Sequence, residues 1–180
     1  MSKKMLSRIL ISGVLAAAAA PVLAVDTGTI TFNGKIVADT CAIDINGATT
    51  NSAITFNNLS QTSFGADKKV GDKQPLALTI TKCDSAIKNL NVTFAGTRIS
   101  GYDDEVLEAA GTAKNLGVRL QPEGASTYVK FDGSVPDALT NKANGSSVVF
   151  NYTAEVIQVG ADLPTVGDYS AQATYTLIYR

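Results

Sequence analysis

Histidine and tryptophan are absent from the 180 residues, and cysteine occurs only twice. Without histidine, Ser-His-Asp and Cys-His nucleophile arrangements are excluded. A metal site built on two thiolates would lack both imidazole and a third sulfur, and would need an unusual ligand set. The missing tryptophan removes the commonest sugar-stacking side chain, although six tyrosines remain. Basic residues are also sparse and form no patch, which argues against nucleic acid as a partner. The glycines of "GTRISG" and "GASTYVKFDG" lack phosphate-loop spacing. The acidic run Asp103, Asp104, Glu105 reads as a solvated loop. No enzyme, cofactor or metal is expected.

Three of the 15 basic residues, Lys3, Lys4 and Arg8, open the chain, and "ILISGVLAAAAAPVLA" comes next. A basic start, a short apolar stretch and the small-residue end Val22-Leu23-Ala24 predict a secretory signal peptide over 1–24. The apolar run is shorter than the roughly 20 residues of a spanning helix, and Pro21 interrupts it. No later stretch is apolar enough to span, so no membrane insertion of the mature chain is expected. All 16 acidic residues lie beyond the leader, giving the remainder a formal charge near −4. In an exported chain Cys41 and Cys83 most simply form a disulfide. Closing a loop of roughly 43 residues restricts the unfolded chain by about 4 kcal/mol, less any native strain.

Period-two runs dominate the chain beyond the leader. They are "TGTITFNGKIV", "AITFNNL", "PLALTITKC", "LNVTFAG", "NLGVRLQ", "YVKF", "SVVFNYTAEVIQ" and a closing strand from Tyr169 to Tyr179. Their in-phase residues include Ile54 and Phe56; Leu76, Leu78 and Ile80; Leu90, Val92 and Phe94; Leu116, Val118 and Leu120; Val129 and Phe131; and Val148 to Val156. Asn-Gly and Asp-Gly pairs at Asn46, Asp132 and Asn144 mark turns, and Asn33-Gly34 marks a bulge inside a strand. The one helical candidate is "DDEVLEAAG", at most two turns in a loop insertion. Short strands at this spacing predict an antiparallel sandwich or barrel in one domain. The four N-x-S/T triplets, at Asn58, Asn91, Asn144 and Asn151, read as chance matches.

The opening "GTITFNGKIVADTCAID", the second cysteine in "LTITKCD" and the end "GDYSAQATYTLIYR" together resemble the major structural pilins of chaperone–usher fimbriae of the type 1 kind. In that ending Gly167 is fourteenth from the last residue, Tyr175 and Leu177 alternate, and Tyr179 is penultimate. The resemblance implies an all-β fold: an incomplete immunoglobulin-like β-sandwich lacking its final strand, completed by donor-strand exchange. It implies a donor-strand extension over 25–33 and a pilin domain over 34–180. Val25, Gly28, Ile30 and Phe32 would form the donor, with Ile30 and Phe32 entering a neighbour's groove. Only three residues of the expected mature chain precede Gly28, fewer than the family leads one to expect.

The resemblance also implies that Gly167, Tyr175, Leu177, Tyr179 and Arg180 mark a C-terminal strand that borders the groove and is recognised by a periplasmic chaperone. Identical or related pilin subunits and an outer-membrane usher are the other implied partners. The implied route is export through the periplasm to fimbriae on the bacterial surface. The implied function is a shaft subunit that polymerises head to tail; the alternatives are a minor adaptor subunit and a stand-alone carbohydrate-binding domain.

Overall fold

The computed structural model describes residues 31, 33–35, 41–49, 52–135, 140–141 and 147–179. The chain divides into units 1–35 and 36–180. In the first, Thr31 and Asn33–Lys35 belong to no strand, so the bulge expected at Asn33-Gly34 does not form there. The remainder of "TGTITFNGKIV", the turn at Asn144 and the leader lie outside the described residues.

The second unit is built from strands. In chain order they are β1 (Ala42–Ile45), β2 (Ala48–Thr49), β3 (Val70–Thr81), β4 (Asn89–Gly96), β5 (Leu107–Glu108), β6 (Ala110–Gly111), β7 (Leu116–Pro122), β8 (Thr140–Asn141), β9 (Val148–Gln158), β10 (Tyr169–Ser170) and β11 (Ala173–Tyr179). Six of them form one sheet in the order β2-β1-β3-β9-β7-β5, a second sheet runs β11-β4-β8, and β10 pairs with β6. Every pairing among the described residues is antiparallel. Asn46 and Gly47 both have positive φ, 50° and 84°, which suits a tight turn between β1 and β2.

The alternating residues read from the sequence are the ones that fill the interior. Leu76 and Leu78 of β3, Val118 and Leu120 of β7, and Tyr152 and Ala154 of β9 meet Val92 and Phe94 of β4. Phe94 contacts Tyr152 edge-on, with ring centroids 5.3 Å apart, and Phe131 at 6.4 Å. The Cys41–Cys83 disulfide forms as expected. It joins the chain just before β1 to the chain just after β3, beside a cluster of Ile80, Leu90 and Val148.

Three local expectations give way. "DDEVLEAAG" is not helical: Asp103 and Asp104 take positive φ, and β5 and β6 come after them. Asp104 is spent on an ion pair with Arg98 at 2.9 Å. The helical element among the described residues is a short 3-10 turn, Gln61–Ser63. "YVKF" keeps its phase, with Phe131 fully buried and Val129 packed on the core, but is held by scattered hydrogen bonds in place of a strand ladder. The closing strand is broken in two, because β10 pairs with β6 and the chain then changes sheets to pair β11 with β4.

One end of the outer face of the large sheet is also covered, around Glu155 and Ile157 of β9. A Cβ on Gly117 would touch Val106 and Ile99, so the 97–106 loop lies over that face, next to fully buried Ile157. Tyr102 of this loop donates to Asp67 at 2.5 Å, and the Gly160 N–H donates to both.

Candidate functional site

Along one edge, β11 pairs with β4 from Ala173↔Gly96 to Tyr179↔Leu90. Among the described residues nothing pairs with its other edge. An edge with no neighbouring strand among the described residues is a template for strand addition.

An open groove of about 1010 Å³ lies beside it. Core residues such as Leu76, Leu78, Phe94 and Val118 form its floor. One wall is the 52–61 segment with Phe64, and the other is 164–173 with Tyr175. The first wall alternates as the sequence predicted, with Ile54 and Phe56 half-buried between exposed neighbours. It is nevertheless not a strand, because no described strand pairs with it. A strand needs a partner, and the groove separates this segment from the edge it faces.

The walls are pinned at one end. Gln61 Nε2 donates to the Pro164 carbonyl across the groove at 2.7 Å. Asn115 Nδ2 donates to Leu163 O, Lys114 N–H to Thr165 Oγ1, and Asp168 N–H to Thr112 Oγ1. Gly167 permits this docking. Its φ is +153°, and a Cβ there would lie 2.6 Å from the Ala113 nitrogen and close to Thr112 Oγ1.

Two ionisable groups mark this end. Hydrogen bonds from the Asn57 N–H, and then from Gln74, hold the Asp72 carboxyl below the usual range. Burial, and secondarily the Asp72 charge, push the Tyr169 hydroxyl up. No group of three His, Cys, Asp or Glu side chains able to hold a metal occurs among the described residues. The site offers an apolar trough beside a strand edge that no described strand pairs with, which is chemistry for binding a strand.

Of the residues singled out in the sequence, Tyr175 and Leu177 pack on the core from β11, and Tyr175 lines the groove. Gly167 sits at the pinned end. Tyr179 is 37% exposed at the end of β11. Val25, Gly28, Ile30, Phe32 and Arg180 lie outside the described residues. The Cys41–Cys83 bond does not border the groove. Sequence reasoning missed Gln61 and Asp72, whose partners are distant in the chain or belong to a segment read as a strand.

Comparison with known proteins decides the family. A family model described as fimbrial protein matches residues 30–180. The chain belongs to the fimbrial protein family. The Pap fimbrial major pilin protein of Escherichia coli is 34% identical over 174 residues, covering 90% of this chain and 89% of that protein. The major fimbrial subunit SMF-1 of Stenotrophomonas maltophilia (strain K279a) is 31% identical, covering 91% of this chain and 99% of the relative. Among solved structures, the P pilus rod subunit PapA superposes with a TM-score of 0.64 at 27% identity, over 77% of this chain and 99% of that one. A subunit in a chaperone–usher pilus structure also gives 0.64, at 29% identity, over 89% and 100%. This fimbrial pilin is thus a structural shaft subunit, exposed at the cell surface in fimbriae, with an immunoglobulin-like sandwich in which, among the described residues, no strand pairs with the outer edge of β11.

Proposed function

We propose that the groove beside β11 receives the 25–33 segment of another copy, so that subunits join head to tail into a shaft. The edge of β11 that no described strand pairs with, lying over an apolar trough, is the observation that carries this reading. Strand addition between chaperone and pilin is an established form of this recognition. An added strand would complete the ladder and cover the floor. Each large aliphatic or aromatic side chain it buries contributes roughly 1.5–3 kcal/mol. Ile30 and Phe32 share a phase and supply two such side chains, and Gly28, in the same phase, allows close backbone approach. Because donor and groove are different surfaces, the contact is heterologous and builds a filament.

Before assembly the same groove would be filled by a periplasmic chaperone. Tyr175, Leu177, Tyr179 and the Arg180 carboxylate would form the recognised strand, with Gly167 docking its start, and an outer-membrane usher would supervise the exchange. The role is structural, not catalytic. The test is deletion of residues 25–31. The subunit should still accumulate in the periplasm while electron microscopy shows no shaft; normal filaments from the deleted chain would refute the assignment.

A further inference from the structure

On β3 the inward phase runs Ile80, Leu78, Leu76, all buried, and continues through Gln74 to Asp72. Asp72 stands opposite Val156, which is fully buried. A carboxylate in the inward phase of a core strand needs hydrogen-bond partners. Asp72 Oδ2 accepts from the Asn57 N–H at 2.8 Å, from Asn57 Nδ2 at 3.1 Å and from Gln74 Nε2 at 3.0 Å. Two of these three bonds come from the groove wall.

That wall has little else polar to hold it. Among the described residues, 52–59 makes no ladder and no backbone–backbone hydrogen bond. Its apolar side chains Ile54 and Phe56 pack on the core, and Phe56 meets Tyr169 of the opposite wall with centroids 6.5 Å apart. A register shift in β3 falls between Val70 and Asp72, at Gly71, where a Cβ would strike Phe64 and Leu59. The bulge therefore sets Asp72 beside the wall and seats the end of the wall against β3.

We propose that Asp72 is a positioning residue for the groove, its carboxylate holding the 52–59 wall where one added strand bridges that wall and β11. The inference rests on the strand-accepting reading of the groove and adds what keeps the groove at strand width. The occupant is a β-strand from a second copy of this chain. Asp72 does not touch that strand; it acts through Asn57 on the wall bearing Ile54 and Phe56. Bonds to a charged acceptor are stronger than neutral ones, while solvent access at this half-exposed site tempers them.

The test uses the full subunit and a peptide copying residues 25–33, with release of the bound peptide measured. Asp72→Ala should release it roughly three- to tenfold faster than the unaltered chain, and Asp72→Asn, which keeps one acceptor, should fall between. Asp44→Ala removes a comparable carboxylate, which caps the β1–β2 turn through the Gly47 N–H, and should leave release unchanged. In a Phe56→Ala background the wall has lost its main anchor on the core, so Asp72→Ala should have a much smaller effect. Release from Asp72→Ala at the unaltered rate overturns the proposal. So does an equal factor with and without Phe56, which would mean that Asp72 acts locally on β3. Failure of the unaltered subunit to bind the peptide would sink the groove reading itself, and the proposal with it.

Discussion

Replacing Gly167 with alanine tests whether this glycine is a packing requirement at the pinned end of the groove. Two costs add. A Cβ would sit 2.6 Å from the Ala113 nitrogen and overlap Thr112 Oγ1 more closely still; the first is a backbone atom and the second ends a short, β-branched side chain. Overpacking of this kind costs typically 1–3 kcal/mol. The backbone itself, at φ +153°, is one that an L side chain rarely adopts, adding about 1 kcal/mol or more. The sum is roughly 2–4 kcal/mol. At 2–4 °C per kcal/mol for a domain of this size, the midpoint should fall by roughly 5–15 °C. Thermal unfolding of subunits complemented with the 25–33 peptide is the assay. Gly124→Ala is the control, because Gly124 has φ +74° but nothing within 4 Å of its would-be Cβ. It should lose only the backbone term, about 1 kcal/mol. If the two variants melt within a degree or two of each other, the close approach of 167 to 112–113 carries no energy and the reasoning fails.

Two further predictions concern the framework sheet. Glu155, 1% exposed, is paired with Arg119 at 2.8 Å and Lys73 at 2.5 Å, and Arg119 stacks on Tyr128 at 3.9 Å. Glu155→Ala would strand the buried guanidinium and should cost roughly 3–5 kcal/mol by urea unfolding. Lys73→Ala, at a side chain 58% exposed, should cost under about 1 kcal/mol. Equal costs would mean the burial of Arg119 is immaterial. Burial pushes the Tyr152 hydroxyl up to about 12. The folded state keeps its proton while the unfolded chain loses it above about pH 10. Stability is therefore fully present below pH 10 and declines from there through pH 12. Urea unfolding at pH 8 and pH 11.5 should show this decline, and Tyr152→Phe should flatten it; an unchanged slope would contradict the burial of that hydroxyl.

Much of the framework was legible because it is local. Leu76, Leu78 and Ile80, or Leu90, Val92 and Phe94, alternate in sequence and face one way in the sandwich, since a pleated strand has no other choice. The same rule misled at 53–59, where a strand-like pattern has no adjacent strand to pair with. It was incomplete at β9, where Glu155 and Ile157 are buried on the nominally wet face. Their cover, the 97–106 loop and the Arg119 pair, comes from residues far along the chain. The closing run looked continuous because alternation says nothing about which neighbour each half will meet. Gly167 was recognisable as a motif position, whereas its reason, contact with Thr112 and Ala113, required the fold. Asp72 gave no sequence signal, since its partner is a backbone N–H 15 residues away.

Hydrogen exchange along β11 tests the vacant strand position most directly. Amides of 173–179 that are not bonded to β4 should exchange rapidly in the uncomplemented subunit. Adding the 25–33 peptide should slow them by orders of magnitude, together with amides of the 52–59 wall. Protection of both β11 edges before any peptide is added, unchanged afterwards, would show that the sandwich is already closed and would contradict the account.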